Sequence, residues 1–347
     1  VFTDHGASRA AIARYGVGDA FPAAWDPESE PDQWRRLASY LAEHAPARIA
    51  LNRSSTFALA DGLSATEYEG LLGALTPDLQ ERLVPADALA IGWLETRTAS
   101  ERDDHAAACT VAHSILREAL SPAVITPTKT TTTDVEWWLR QRVADRNFGT
   151  WFHPTVSVQR RRPTHERASF ATAPGDTVVE PGDLVHVDFG ITYLGMNTDQ
   201  QQHAYVLRSG ESSAPEGIVA GIAAANRVQD IVMDEFATGR TGNEVLAAAR
   251  AAAAEAGLDA TIYTHPIGLH GHGAGPTVGL WDQQGGVSGQ GDYPLYPDTS
   301  YSIELNAQLA VPEWNGAAVR FMLEEDAFFD GTATTFLAGR QTEPWLI

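Results

Sequence analysis

An α+β fold in two parts is what this sequence predicts, on three observations. Beyond about residue 97, two helix-forming stretches lead into strand-like runs that end in an acidic hairpin, and the same succession then recurs. Both hairpins set carboxylates inside otherwise apolar strands, where an isolated charge is strongly destabilising unless it is paired or bound to a cation. At 347 residues the chain is also long enough for two domains of about 150 residues each. We therefore expect a smaller α/β domain at 1–97 and a larger one at 98–347.

In the N-terminal part, Asp32–Glu43 and Ala65–Leu75 read as helices and Ala47–Leu51 as a strand, with no cluster of ligand-type side chains. The chain opens at Val1 rather than Met, which suggests a native start further upstream. A helix then opens at Ser100, with Glu101, Asp103 and Asp104 favourable to its dipole. Ala108, Val111, Ala112, Ile115, Leu116 and Ala119 repeat at the spacing of one buried helix face. Cys109 lies in the same helix. As the chain's one cysteine it excludes an internal disulfide framework, and it reads as a small core side chain. Thr133 and Glu136 suggest a capping box for the next helix, followed by a strand at Thr155–Val158 and a hairpin over 184–207. The second succession has a helix at Ala214–Ala237, closed by Gly239, and another opened by Thr241 and Glu244 and ending near Gly257. It finishes in a segment around His265 and a hairpin bearing Glu304 and Glu324. Two such halves imply a pseudo-symmetric sheet with the acidic residues on its concave face.

Five candidate metal ligands fall along that order. Asp188 ends a strand-like run before Phe189 and Gly190, and Asp199 follows eleven residues later, after Gly195. Two strands joined by a short turn bring facing side chains together, so both carboxylates can converge. His265 is followed closely by His270 and His272, which compete with it for the imidazole position. Glu304 lies between Ile303 and Leu305. Glu324 and Glu325 are adjacent and must point to opposite faces of a strand. Four carboxylates and one imidazole form a hard, oxygen-rich set that suits Mn²⁺, Co²⁺ or Zn²⁺ and can hold two ions a few Å apart. The run Asp188-Phe189-Gly190 also matches a kinase motif, but no glycine-rich loop, strand lysine or His-Arg-Asp loop accompanies it.

The series Asp188, Asp199, His265, Glu304, Glu324 resembles the metallopeptidases of the aminopeptidase P, prolidase, methionine aminopeptidase and creatinase group, above all the bacterial Xaa-Pro peptidases. Gly182, Asp183, Leu184, Val185, Asp188 and Gly190, followed by Gly195 and Asp199, are similar to that family's hairpin pattern. His265 with Gly268 and His272 resembles its two-histidine segment. The likeness covers roughly residues 97–330. It implies a pita-bread catalytic domain, a curved antiparallel sheet with helices outside, behind a creatinase-like N-terminal domain shortened at its start. It favours Glu324 over Glu325 as the last ligand, because Ala327, Phe328 and Phe329 follow as in the family. It makes His272 a substrate-facing residue, although Gly273 replaces the acid that usually comes next. His165 takes the place of the family's upstream histidine, across a longer gap and an insertion-like stretch at 169–176.

The chemistry implied by this resemblance is a dinuclear exopeptidase, most often with Mn²⁺, that cleaves the bond between an N-terminal residue and proline. Asp199 and Glu324 would bridge the two ions and their hydroxide, Asp188 would complete one, and His265 and Glu304 the other. Glu304 would also carry the proton to the leaving nitrogen, while Trp281, Trp314 and Phe321 are candidates for a prolyl pocket. A creatinase-type hydrolase of a small non-peptide C–N bond, or a catalytically silent peptide-binding domain, are the alternatives. The expected partners are a small peptide substrate and a second copy of the chain in a homodimer. A net charge of −21 argues against nucleic acid. No apolar run reaches the roughly 20 residues needed to span a bilayer. A cytoplasmic location is expected, with an exported form allowed by the missing start.

Overall fold

The computed structural model describes residues 14–16, 25–161 and 176–347. The chain divides into two compact units, Val1–Ile91 and Gly92–Ile347. In the first, α1 (Gln33–His44) is capped by Asp32, whose carboxylate accepts from the Arg35 amide at 3.0 Å. β1 (Ile49–Leu51) and β2 (Leu83–Pro85) pair in parallel. Between them lie α2 (Ala65–Ala74), opened by a Ser64–Glu67 capping box, and the single turn α3 (Pro77–Gln80). Ile49, Leu71, Leu75 and Leu79 are buried together, with Trp34, Leu37 and Leu41 packed on them. Helix α4 (Asp87–Glu95) contains the division point.

The second unit repeats one theme twice, two helices laid over an acidic hairpin. α5 (Ala99–Ala119) starts one residue before the expected Ser100, with Thr98 and Glu101 forming its capping box. α6 (Thr132–Asp145) is capped by Thr131 and Asp134, not by Thr133 and Glu136. The Glu136 carboxylate is engaged elsewhere, accepting from the Val156 amide at 3.0 Å, which ties the helix to the first strand of its sheet. That strand is β3 (Thr155–Gln159), followed by β4 (Leu184–Phe189), the short ribbon β5 (Thr192–Tyr193) and β6 (Met196–Asn197), and β7 (Gln200–Tyr205). At the ribbon's tip Leu194 and Gly195 both take positive φ, 50° and 80°. A two-residue hairpin loop with both central φ positive matches the right-handed twist of the strands, and glycine is the residue that adopts it without strain.

Alternation along β4 separates core from site. Val185, Val187 and Phe189 enter a buried cluster with Ala108, Ala112, Ile115 and Leu116 of α5 and Val135, Leu139 and Val143 of α6. His186 and Asp188 therefore face the opposite side. β4 pairs antiparallel with both β3 and β7, and in the second register Asp188 stands across from Gln201.

The other half contains α7 (Glu216–Asp234) and α8 (Gly242–Glu255), the latter capped by Thr241 and Glu244 as the sequence predicts. Their apolar faces cover β8 (Asp259–Ile262), β11 (Leu305–Val311) and β12 (Ala317–Leu323), burying Ile222, Ala225, Val245, Leu305, Phe321 and Leu323 in one cluster. β9 (His265–Pro266), β10 (Thr299–Ser302), β13 (Asp326–Phe329) and β14 (Thr334–Phe336) form the next sheet in the order β14-β13-β10-β9. Ser302 pairs with Asp326 and Leu305 with Leu323, so one register runs through both ladders and Glu304 stands opposite Glu324. β15 (Trp345–Leu346) completes the first sheet beside β7. The hairpins meet where Gln201 and Glu324 exchange backbone hydrogen bonds of 3.0 and 3.3 Å. Among the described residues no helix is long and apolar enough to cross a membrane.

Candidate metal centre

At that meeting point the two hairpins and β9 bring all five predicted ligands into one cluster. The His265 Nε2 lies 3.4 Å from Glu324 Oε1, 3.9 Å from Glu304 Oε2 and 4.0 Å from Asp199 Oδ2. Asp188 reaches the same cluster from β4, beside Asp199. Asp199, His265, Glu304 and Glu324 are buried. The His265 Nδ1 donates to the Pro266 carbonyl at 3.0 Å, which leaves the Nε2 lone pair aimed among the carboxylates. Among the described residues Asp188 Oδ1, Asp199 Oδ1 and His265 Nε2 have no hydrogen-bond partner, despite being sealed from solvent.

The electrostatics of this arrangement are unfavourable without a cation. Burial pushes the carboxyls of Asp188, Asp199 and Glu304 well above the usual carboxylate range, and repulsion from Glu324 adds to each. Four carboxylates in a dry site ionise together only if positive charge is supplied. Two divalent cations balance four carboxylates, and the orphaned oxygens and imidazole nitrogen are the atoms such ions would take. The donor set therefore fits a pair of divalent ions.

Neutral groups that carry no signal in the sequence order the carboxylates. The Gln201 amide donates to Glu304 Oε1 at 2.8 Å and to Glu324 Oε2 at 2.6 Å. His186 Nε2 donates to the Gln201 carbonyl at 2.9 Å, which fixes the amide in that orientation. Ser302 Oγ donates to Glu324 Oε1 at 2.6 Å. Glu325 points to the opposite face, as adjacent strand residues must. It accepts from His113, from Gln202 Nε2 at 3.0 Å and from the Gln341 amide at 3.3 Å. Glu324 rather than Glu325 thus belongs to the cluster.

Of the remaining histidines, His272 stands edge-on to His265, with ring centroids 4.6 Å apart. Trp151 and Tyr263 flank it at 5.5 and 6.0 Å. His270 is exposed. A Cβ at position 273 would come 2.9 Å from the Pro266 carbonyl oxygen, so glycine there lets the loop close against β9. His165 lies outside the described residues. Of the suggested pocket residues, Trp314 and Phe321 are buried in the core under α7, and Trp281 is half exposed. The aromatic ring beside the ligand His265 is Tyr263, with centroids 5.5 Å apart, while Trp151 is held next to His272 by a 2.9 Å hydrogen bond from its Nε1 to the Thr198 carbonyl.

The sequence profile of metallopeptidase family M24 matches residues 103–323, from within α5 to the end of β12. The chain belongs to that family. Solved structures similar to this M24 chain include the X-Pro aminopeptidase of Thermotoga maritima MSB8, with a TM-score of 0.59 and 18% identity over 90% of this chain and 79% of that one. Dipeptidase PepE of Mycobacterium ulcerans gives 0.61 and 21%, covering 91% and 75%. A methionine aminopeptidase of Thermotoga maritima gives 0.50 and 19%, covering 72% of this chain and 99% of its own. No curated protein matches the sequence. The pita-bread architecture expected of the larger domain is the M24 fold, and it carries the two acidic hairpins described above.

Proposed function

We propose that this M24 chain is a dinuclear exopeptidase that releases an N-terminal residue from a small peptide whose second residue is proline. The observation that carries the reading is the convergence of Asp188, Asp199, His265, Glu304 and Glu324, with partnerless donor atoms turned toward one another. These five side chains would hold two divalent ions, Mn²⁺ in preference to Co²⁺ or Zn²⁺ on the oxygen-rich donor set. Bound there, the ions would supply a water activated near neutral pH and polarisation of the substrate carbonyl.

The chain's own groups supply the rest. Glu304 has one oxygen held by Gln201 and the other toward His265, so as a carboxylate it can take a proton from the attacking water and pass it to the departing nitrogen. His272 stands at the rim beside His265, where an N–H can reach the scissile carbonyl. The rings of Trp151 and Tyr263 lie 5.5 and 6.0 Å from it and offer apolar surface that suits a prolyl ring. The solved Thermotoga maritima relative is an X-Pro aminopeptidase, which supports the choice of bond. A homodimer belongs to the same proposal.

The test is a substrate panel with Mn²⁺-loaded protein: Xaa-Pro dipeptides, Xaa-Pro-Yaa peptides and creatine-like guanidino compounds. Turnover of a proline peptide, lost in Asp199→Asn, is the expected result. Hydrolysis of a guanidino compound without turnover of any proline peptide would replace the reading with creatinase chemistry. Failure to retain any divalent ion would replace it with a silent peptide-binding domain.

A further inference from the structure

We propose that His105, Cys109 and Asp326 form a separate, structural site for one divalent ion of zinc type, where α5 meets β13. His105 and Cys109 are four residues apart on α5, which puts both side chains on one helix face. That face meets Asp326 of β13, 217 positions further along the chain than Cys109. The His105 Nε2 and the Cys109 Sγ each lie 3.3 Å from Asp326 Oδ2. All three ligand atoms lie within 4.8 Å of one another.

Three features point to a cation rather than a packed polar corner. All three side chains are buried. Neither ring nitrogen of His105 has a hydrogen-bond partner among the described residues, although the ring is fully enclosed, and Asp326 Oδ1 has none either. The spacing also suits tetrahedral coordination: with metal bonds of about 2.0–2.3 Å, neighbouring ligand atoms fall about 3.3–3.6 Å apart. A dication balances the Asp326 carboxylate and a Cys109 thiolate, leaving imidazole neutral and the buried site without net charge. Binding releases one proton, from the Cys109 thiol to solvent. The three side chains supply three of four tetrahedral positions, and because all of them are buried the fourth is closed to substrate, which makes the site structural and not catalytic.

Mixed sulfur, nitrogen and oxygen donors select a borderline ion such as Zn²⁺, in contrast to the hard oxygen set of the neighbouring centre. Asp326 Oδ2 also accepts from the Asp199 amide and from Gln200 Nε2, both at 3.2 Å. An ion here would therefore staple α5 to β13 and hold the backbone that presents Asp199.

Cobalt(II) tests this without reference to activity. The full chain is unfolded in chelator and refolded with Co²⁺, and folding is verified by circular dichroism. The chain has one cysteine, so a thiolate-to-cobalt charge-transfer band in the near ultraviolet has a single possible source. We expect that band in the wild-type protein, and one equivalent more cobalt per chain than in Cys109→Ser. His105→Ala should weaken the band as well. Folded wild-type protein that binds Co²⁺ without the band, or equal cobalt content in wild type and Cys109→Ser, would overturn the proposal. Both readouts are independent of whether any proline peptide is cleaved.

Discussion

Gln201→Met perturbs the acidic centre while leaving all five converging side chains in place. The wild-type amide gives one hydrogen bond to Glu304 at 2.8 Å and one to Glu324 at 2.6 Å, and takes one from His186. Methionine keeps the length, removes both N–H donors and replaces the carbonyl by a weakly accepting sulfur. Two hydrogen bonds to charged groups are lost, each worth about 1.5–3 kcal/mol in isolation. The carboxylates recover part of this by turning toward the cations. Partners one step removed from a metal typically alter affinity by about 10–100-fold. The dissociation constant for Mn²⁺ should therefore rise by about 10–100-fold, or about 1.4–2.7 kcal/mol. Calorimetric titration of Mn²⁺ into metal-free protein measures it. His186 also loses its carbonyl acceptor in a buried position, so the metal-free variant should unfold more readily by about 1–3 kcal/mol. Denaturant titrations in chelator isolate that second effect. If stability falls as expected while Mn²⁺ affinity is unchanged, Gln201 does not organise the ligands and the reasoning fails.

Removing the ions should lower the melting temperature, because ligands that bind only the folded state stabilise it; at a hundredfold excess over the dissociation constant the gain is about 2.7 kcal/mol. Scanning calorimetry with and without chelator, followed by Mn²⁺ restoration, checks this. Glu325→Gln should leave Mn²⁺ affinity intact yet destabilise the fold by about 1.5–3 kcal/mol, because the lost charge is the one paired with His113. Burial opposes the His113 imidazolium, and the Glu325 carboxylate outweighs it to raise the His113 pKa. Glu95 gives a pH dependence of definite sign. Burial raises its carboxyl from 4.5 to about 8. The folded state thus holds a proton that the unfolded state has released between those values, and stability declines as pH rises through that window. Melting temperatures of wild type and Glu95→Gln should diverge from pH 5 to pH 8, with the variant the more stable at the upper end; parallel curves would contradict it.

Much of the site can be read from the sequence because charged residues in apolar strands demand an explanation. Asp188 and Glu304 carry that signal in their immediate neighbours, strand alternation sends Glu324 and Glu325 to opposite faces, and the family pattern picks out Glu324. Gln201 and Ser302 carry none, being neutral. Only the register that sets Asp188 across from Gln201 reveals the amide, and that register is a tertiary fact. The cap of α6 differs from the expected one because Thr131, Thr132 and Thr133 are adjacent and the short Asp134 closes the box, while Glu136 is taken by the Val156 amide. Trp314 and Phe321 resemble pocket walls in composition but fill the core under α7. Trp151 has no such signal, because only folding brings it beside His272. The grouping of His105 and Cys109 with Asp326 is hidden for the same reason, two members being one turn apart and the third on a distant strand.

The bridge between Gln201 and Glu324 has a consequence for assembly. Asp188 and Asp199 come from one hairpin, Glu304 and Glu324 from the other, so neither half owns a complete coordination set. Ion capture at the proposed centre therefore requires the two halves to be docked, and bound ions would stabilise that docking. A chain in which either half is still unformed has no place for the ions, and metal uptake during refolding should report completion of the last long-range junction rather than any earlier step.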